Sequence, residues 1–183
     1  MEKGYSGTST LEVATRAQVS KATLYAMVGN KEQMLAACIS ERARRLQAPV
    51  DLPEPRDPQS LFRALVALGT RLLREMSDPT VIAVFRLAIA EAVRAPAVAK
   101  ALDSIGGEAS RAILRGTMAR AQSAGILKGK PDQMAEQFFG LLWGNLMLGL
   151  LLRVVEQPQL PDMERRATDA ADALLRLHLK EGE

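Results

Sequence analysis

Apolar residues recur at helical spacing along the chain, and turn-forming residues divide them into segments. The first segment fits a capping box, with Ser9 as N-cap and Glu12 three residues later. Its apolar positions are Leu11, Val13, Ala14 and Ala17. Ser20 is a suitable N-cap for a second helix over 21–27, which Gly29 interrupts. The pattern predicts two short helices joined by a tight turn. Such a pair serves either as a DNA-binding motif or as a plain packing unit.

A third helix is predicted from about Asn30 to Gln47. Its inner face would carry Met34, Leu35, Cys38, Ile39 and Leu46. Cys38 is the only cysteine and is expected in the core, where free cysteines are commonly buried. Residues 48–58 hold four prolines, which predict a semi-rigid linker. We therefore divide the chain into two domains, 1–47 and 48–183.

The second domain is interpreted as a series of helices, so the predicted fold class is all-α. Predicted segments are 58–76, 80–94, a short piece at 97–104 ending at Gly106-Gly107, a long helix to Ala124, 131–155, and a last helix capped by Asp162 and ending near Leu179. The helix at 131–155 is apolar on nearly all sides, which predicts burial on all sides. Gly140 and Gly144 would allow close approach of another helix.

Charge is unevenly distributed. Residues 1–47 contain seven Lys or Arg and four Glu, whereas the remainder carries equal numbers of each sign. A basic excess confined to one region suggests an anionic partner. One cysteine and one histidine cannot build a zinc site, so we predict neither metal nor cofactor. His178 is expected at a helix end. We see no signal peptide, and the apolar run at 138–152 is short for a membrane span, so we expect a cytoplasmic protein without membrane contact.

The segment 4–34 resembles the DNA-binding segment of the TetR/AcrR transcriptional regulators. The matching positions are Gly4-Tyr5, Thr8-Ser9-Thr10, Ala14, Ala17, Val19-Ser20-Lys21, Thr23-Leu24-Tyr25 and Asn30-Lys31-Glu32. Gln18 departs from the usual glycine, and Met27-Val28 departs from the usual pair. The family also has a helix ahead of Gly4-Tyr5, which we expect to be missing here. Without that helix we expect residues 4–30 to be the most mobile part of the chain and DNA binding to be weak and mostly non-specific, whereas a chain that has the helix should bind its specific site tightly.

Roles follow from this resemblance and from helical spacing. Leu24 and Val28 are four apart and should face the core, with Leu11, Val13 and Val19 as partners. The positions left to face the major groove are Lys21, Ala22, Thr23 and Met27. The resemblance implies phosphate contacts for Tyr25, Lys31 and Thr10. The alternative is that these side chains form an ordinary solvated face.

The resemblance further implies that the C-terminal domain binds a small apolar or amphipathic molecule and forms a homodimer. Candidate pocket residues are Met76, Phe85, Met118, Phe139 and Trp143. The alternative for these side chains is ordinary core packing. The helix around 136–152 would contact the partner subunit; the alternative is a large monomeric core.

We interpret the chain as a ligand-responsive repressor that binds a palindromic operator as a homodimer. One alternative is a helical ligand-binding dimer that has lost specific DNA binding. The other is a small helical enzyme, for which the sequence shows no histidine cluster, phosphate loop or nucleophile elbow.

Overall fold

The computed structural model describes residues 7–47 and 54–180. These residues are helical apart from turns and one isolated bridge between Leu127 and Leu179, so the predicted all-α class is confirmed. The helices are α1 (Thr10–Arg16), α2 (Lys21–Val28), α3 (Lys31–Gln47), α4 (Pro58–Met76), α5 (Pro79–Glu91), α6 (Pro96–Ala101), α7 (Glu108–Ser123), α8 (Pro131–Trp143), α9 (Leu146–Leu152) and α10 (Leu160–His178). A π-helical turn, Leu102–Gly107, joins α6 to α7.

The described chain forms two compact units. The first combines α1, α2 and α3 as far as Arg45 with residues 83–108, and the second combines the described residues of 46–82 with those from 109 onward. The second unit has its core where α4, α8 and α10 pack together. A Cβ at Gly69 would lie 3.0 Å from the Ala167 Cβ and 3.1 Å from Leu142 Cδ1, so the absence of a side chain permits this close approach. Fully buried side chains here include Leu65, Leu72, Met118, Phe138, Leu142 and Leu174.

The helix predicted over 131–155 is broken, which corrects the expectation of one continuous element. It ends at Trp143 and resumes at Leu146, and its two halves are bent by 52°. Gly144 has a φ of +44°, which L-residues with side chains rarely adopt. Arg166 on α10 donates from Nε to the Leu142 carbonyl at 2.8 Å and from Nη2 to the Trp143 carbonyl at 2.9 Å. These bonds satisfy carbonyls that the break leaves without helical partners.

Gly106-Gly107 does not end a helix, contrary to the prediction. The chain stays helical through a π-turn, and the backbone N–H of Glu108 donates to the carbonyls of Asp103 and Ile105. A wider turn thus accommodates the two glycines without breaking the helix. A Cβ at Gly106 would lie 3.6 Å from Ile39 Cγ2, so this turn packs on α3 within the first unit.

Two further expectations are corrected. Cys38 is exposed, because the buried face of α3 carries Ile39 and Ala43, one turn apart, and Cys38 lies about 100° around the helix from Ile39. Asp162 is not an N-cap: α10 begins at Leu160 with Gln159 as the cap residue, and Asp162 lies in its first turn.

His178 ends α10, as predicted, and its ring joins two segments. Nδ1 lies 2.9 Å from the Lys128 carbonyl oxygen, and Nε2 lies 2.5 Å from Gln137 Oε1. Within 7–47 and 54–180, no single helix is long and apolar enough to cross a membrane. The helices α8 and α9 satisfy that length and composition only together, as the bent pair.

Candidate DNA-binding site

The N-terminal pair of helices is fixed by local side-chain caps, as the sequence predicts. Ser9 Oγ accepts from the Glu12 backbone N–H at 3.1 Å, and Glu12 Oε2 accepts from the Ser9 N–H at 3.1 Å. Ser20 Oγ accepts from the Thr23 N–H at 3.0 Å at the start of α2. Such caps are each worth about 1 kcal/mol, which matters for helices of only two turns.

The turn between α1 and α2 depends on Gln18. Its φ is +56°, so the backbone adopts the left-handed conformation that glycine adopts most readily. Its N–H donates to the Thr15 carbonyl, and the N–H of Val19 donates to the Ala14 carbonyl, both at 3.1 Å. The turn therefore forms with a side chain present, at the cost of left-handed strain.

The buried stripe of the two helices is narrower than predicted. Ala14 on α1 and Leu24 on α2 are buried, in agreement with the sequence. Leu11 is 61% exposed and Ala17 is also exposed, so neither is a core residue within the described chain. Val28 is 36% exposed, because it lies at the last residue of α2, where Gly29 turns the chain away. Val13 and Val19 are half-buried.

The outward surface of α2 consists of three rows of residues four apart. Opposite Leu24 lie Ala22 and Ala26, with Lys21 and Tyr25 on one side and Thr23 and Met27 on the other; all six are exposed. The structure therefore brings together the predicted groove-facing residues on one short, accessible helix. This is the presentation that a recognition helix needs in order to enter a major groove.

Tyr25 connects α2 to the start of α1. Its hydroxyl shares a hydrogen bond of 3.3 Å with Thr10 Oγ1, and the Lys21 ammonium lies 5.8 Å from the centre of its ring. We call the Thr10 and Tyr25 hydroxyls and the Lys21 ammonium the polar cluster; it lies beside the row formed by Ala22 and Ala26. Hydroxyls and an ammonium are the groups that contact phosphate oxygens.

Lys31 begins α3. Asn30 and Gln33 cap this helix reciprocally: the Asn30 N–H donates to Gln33 Oε1 at 2.8 Å, and the Gln33 N–H donates to Asn30 Oδ1 at 2.9 Å. Lys31 is half-buried at the first helical position. The partial positive charge at the N-terminus of α3 adds to the charge of the Lys31 ammonium, so this end of α3 favours an anion.

Four of the five predicted ligand-binding residues belong to the second unit. Met76, Met118 and Trp143 are buried, and the rings of Phe139 and Trp143 contact each other with centroids 6.0 Å apart. Phe85 is half-buried and belongs to the first unit.

Sequence reasoning missed three polar features of the second unit. Among the described buried side chains, Trp143 Nε1 and Thr70 Oγ1 have no hydrogen-bond partner. Arg166 was also missed, because next to Arg165 it reads as an ordinary solvated charge.

Comparisons with known proteins match both parts of the chain. Residues 63–178 match the family described as "AefR-like transcriptional repressor, C-terminal domain", and residues 1–38 match "Bacterial regulatory proteins, tetR family". A relative from Bacillus subtilis, the uncharacterized HTH-type transcriptional regulator YvkB, is 24% identical over 87% of this chain and 82% of its own length.

Solved structures agree with these matches. A TetR-family regulator from Mesorhizobium loti is 26% identical, with a TM-score of 0.80 over 98% of this chain and 90% of that one. The flavonoid-responsive regulator FrrA is 26% identical, with a TM-score of 0.76 over 99% of this chain and 91% of that one. Because one family match alone spans more than half of the sequence, the chain belongs to the TetR family of bacterial transcriptional regulators.

Proposed function

We propose that this regulator is a cytoplasmic, ligand-responsive repressor that binds a palindromic operator as a homodimer. In this proposal residues 1–47 bind DNA and residues 48–183 form the regulatory domain. The protein acts by binding and release of DNA rather than by catalysis. The observation that carries the proposal is the exposed surface of α2 beside the Thr10–Tyr25 hydrogen bond.

DNA contacts are assigned by chemistry. Thr10, Tyr25 and Lys31 offer hydroxyl and ammonium groups to phosphates at the edges of the groove, which fix orientation without reading sequence. Ala22, Thr23 and Met27 face the base edges, with Lys21 at their margin. Lys31→Ala is expected to weaken binding to all duplexes equally and to lower the salt dependence by about one phosphate contact per subunit.

The dimer surface is proposed on α8 and α9. Leu141, Leu148 and Leu152 are 41%, 58% and 62% exposed, and Val154 and Val155 continue the same apolar region. A group of neighbouring exposed leucines is typical of a surface that associates with another protein. A second copy of the chain is the proposed occupant, because a two-fold symmetric reader requires paired subunits to contact two half-sites.

The ligand is proposed to bind among the buried side chains of the second unit, near Trp143. An unpartnered buried indole N–H costs about 1–3 kcal/mol, which an acceptor atom on a ligand would offset. Such a ligand combines an apolar body with an oxygen acceptor. The structurally similar FrrA is named as flavonoid-responsive, and flavonoids have that combination. Phe139, Met76 and Met118 would contact the apolar body.

The test is selection of duplexes from a random pool, followed by affinity measurement at one salt concentration. We expect an enriched inverted repeat whose half-sites lie one helical turn, or a multiple of it, apart. Failure to enrich any sequence would refute specific DNA binding.

The dimer is tested with Leu148→Glu, using sedimentation velocity. The charge should produce monomers, because each subunit would bury a carboxylate at the interface. Val93→Glu is the matched control: Val93 is 95% exposed on the first unit, and its substitution should leave the dimer intact. A stable Leu148→Glu dimer would move the interface elsewhere.

A further inference from the structure

We propose that this chain recognises its operator chiefly through the C5-methyl groups of thymines, rather than through hydrogen bonds to base edges. The inference rests on the proposed function, since it assumes that α2 enters the major groove. It specifies which chemical feature of DNA the helix reads, and it derives from where the polar atoms of α2 are directed.

The only cation on the outward surface of α2 is directed to one side. Lys21 lies over the Tyr25 ring, at 5.8 Å from its centre, and Tyr25 is hydrogen-bonded to Thr10 on α1. The ammonium is thus placed in the polar cluster proposed to contact phosphate. In that position the ammonium lies beside the Tyr25 ring rather than over the row of Ala22 and Ala26, where it would contact guanine O6 and N7.

The hydroxyl of Thr23 is also engaged. Thr23 Oγ1 lies 2.7 Å from Ser20 Oγ, and the Thr23 N–H donates to that same oxygen at 3.0 Å. Because the hydroxyl points to the N-cap of its own helix, the side chain has its Cγ2 methyl left to offer to a base. The contact with Ser20 therefore leaves the Thr23 methyl as the group that can contact DNA.

The remaining outward positions have no polar group. Ala22 and Ala26 lie opposite Leu24, and Met27, beside Thr23, is 74% exposed. Together with the Thr23 methyl they form two adjacent apolar rows, each about one turn long. A flexible, exposed methionine adapts its shape to an apolar partner.

The major groove offers one apolar group that matches such a surface. Guanine, cytosine and adenine present only hydrogen-bond donors and acceptors there, whereas thymine adds a methyl group at C5. An apolar row leaves the polar groups of either base-pair edge without partners, but only the T·A pair offers a methyl group for the row to contact. Half-sites with thymines opposite the two rows are therefore preferred.

The experiment starts from the duplex that selection enriches. Each thymine of the half-site is replaced in turn by deoxyuridine, which removes the methyl group and keeps the base pair. Burial of one methyl group predicts about a fourfold loss of affinity at each contacted thymine. Replacing the same T·A pair by 5-methylcytosine·guanine should retain more affinity than unmethylated C·G, because the methyl group is restored.

Two variants assign the effect to side chains. Met27→Ala should abolish the deoxyuridine effect at one thymine and leave the others. Lys31→Ala is the control: it should weaken every duplex while the thymine-to-uracil ratio stays the same.

If no sequence is enriched, the proposed function fails and this inference with it. If an operator is enriched but its affinity is unchanged by deoxyuridine at every position, the thymine inference alone is overturned. The thymine inference would likewise be overturned if Lys21→Ala lost specificity while removal of the methyl groups had no effect. That result would show that hydrogen bonds from Lys21 to the bases determine the preference.

Discussion

The bend between α8 and α9 can be tested by comparing two adjacent arginines of α10, because only one of them bonds to the backbone at the bend. Arg166 donates two hydrogen bonds to the carbonyls of Leu142 and Trp143, at 2.8 and 2.9 Å. Arg165, the next residue, makes an exposed ion pair with Asp162 at 3.0 Å, with the two side chains 74% and 54% exposed. These two adjacent arginines of α10 therefore differ in their partners. Arg166 is half-buried and bonds to the backbone at the bend, whereas Arg165 forms an ion pair at the surface.

The expected magnitudes differ accordingly. Hydrogen bonds from a charged donor contribute about 1.5–3 kcal/mol each when buried. Because Arg166 is half-buried and water can reach part of its site, we assign about 2–3 kcal/mol to both bonds together. An exposed ion pair contributes about 0–1 kcal/mol. Arg166→Ala should thus lower the melting temperature by roughly 5–10 °C and Arg165→Ala by no more than about 4 °C.

The assay is urea and thermal unfolding of both variants at one protein concentration, which must be fixed because dimerisation contributes to stability. Arg166→Ala should also weaken the proposed dimer, since the bend sets the direction in which α9 presents Leu148 and Leu152. Equal stability losses for the two variants, or a larger loss for Arg165→Ala, would refute the assignment of the bend to Arg166.

Three further predictions concern single side chains. Gln18→Gly should stabilise the protein by about 0.5–1 kcal/mol in urea unfolding, because it relieves a left-handed residue, whereas Gln18→Ala should not; equal effects of the two would contradict the strain. Tyr25→Phe should weaken binding of every duplex by about 0.5–1.5 kcal/mol without changing the selected sequence; an altered preference would place Tyr25 among the base-reading residues. His178→Ala should cost about 1 kcal/mol, because its ring bonds to Lys128 and Gln137 are lost; an unchanged unfolding midpoint would show that they contribute nothing.

Local signals made the N-terminal motif predictable. Ser9 and Ser20 cap helices through contacts three residues away, so sequence alone contains both partners of each bond. The tight turn between α1 and α2 is likewise predictable from neighbouring residues, although glutamine is an unusual residue at a position with positive φ. Burial was less predictable: Leu11 and Val28 have the correct spacing, but only one buried stripe is available, and Ala14 and Leu24 form it.

Features that depend on residues far apart in the chain could not be predicted from the sequence. The break at Gly144 is held by Arg166, more than twenty residues away along the chain, so the local sequence does not show the contact that fixes the bend. Gly106-Gly107 looked like a helix end because glycine is a poor helix former, but a π-turn packed on Ile39 overrides that preference. The hydrogen bond between Tyr25 and Thr10 joins residues fifteen apart on different helices, so the spacing along either helix does not show it.

The central claim, sequence-specific duplex binding by α1 and α2, is tested most directly by one titration. The affinity of the chain for its selected inverted repeat is compared with that for a scrambled duplex of the same composition, across a range of salt concentrations. Specific recognition predicts at least about a thousandfold preference for the repeat at physiological salt, and a logarithmic salt dependence that reports the phosphate contacts. Equal affinity for both duplexes at every salt concentration would contradict the account.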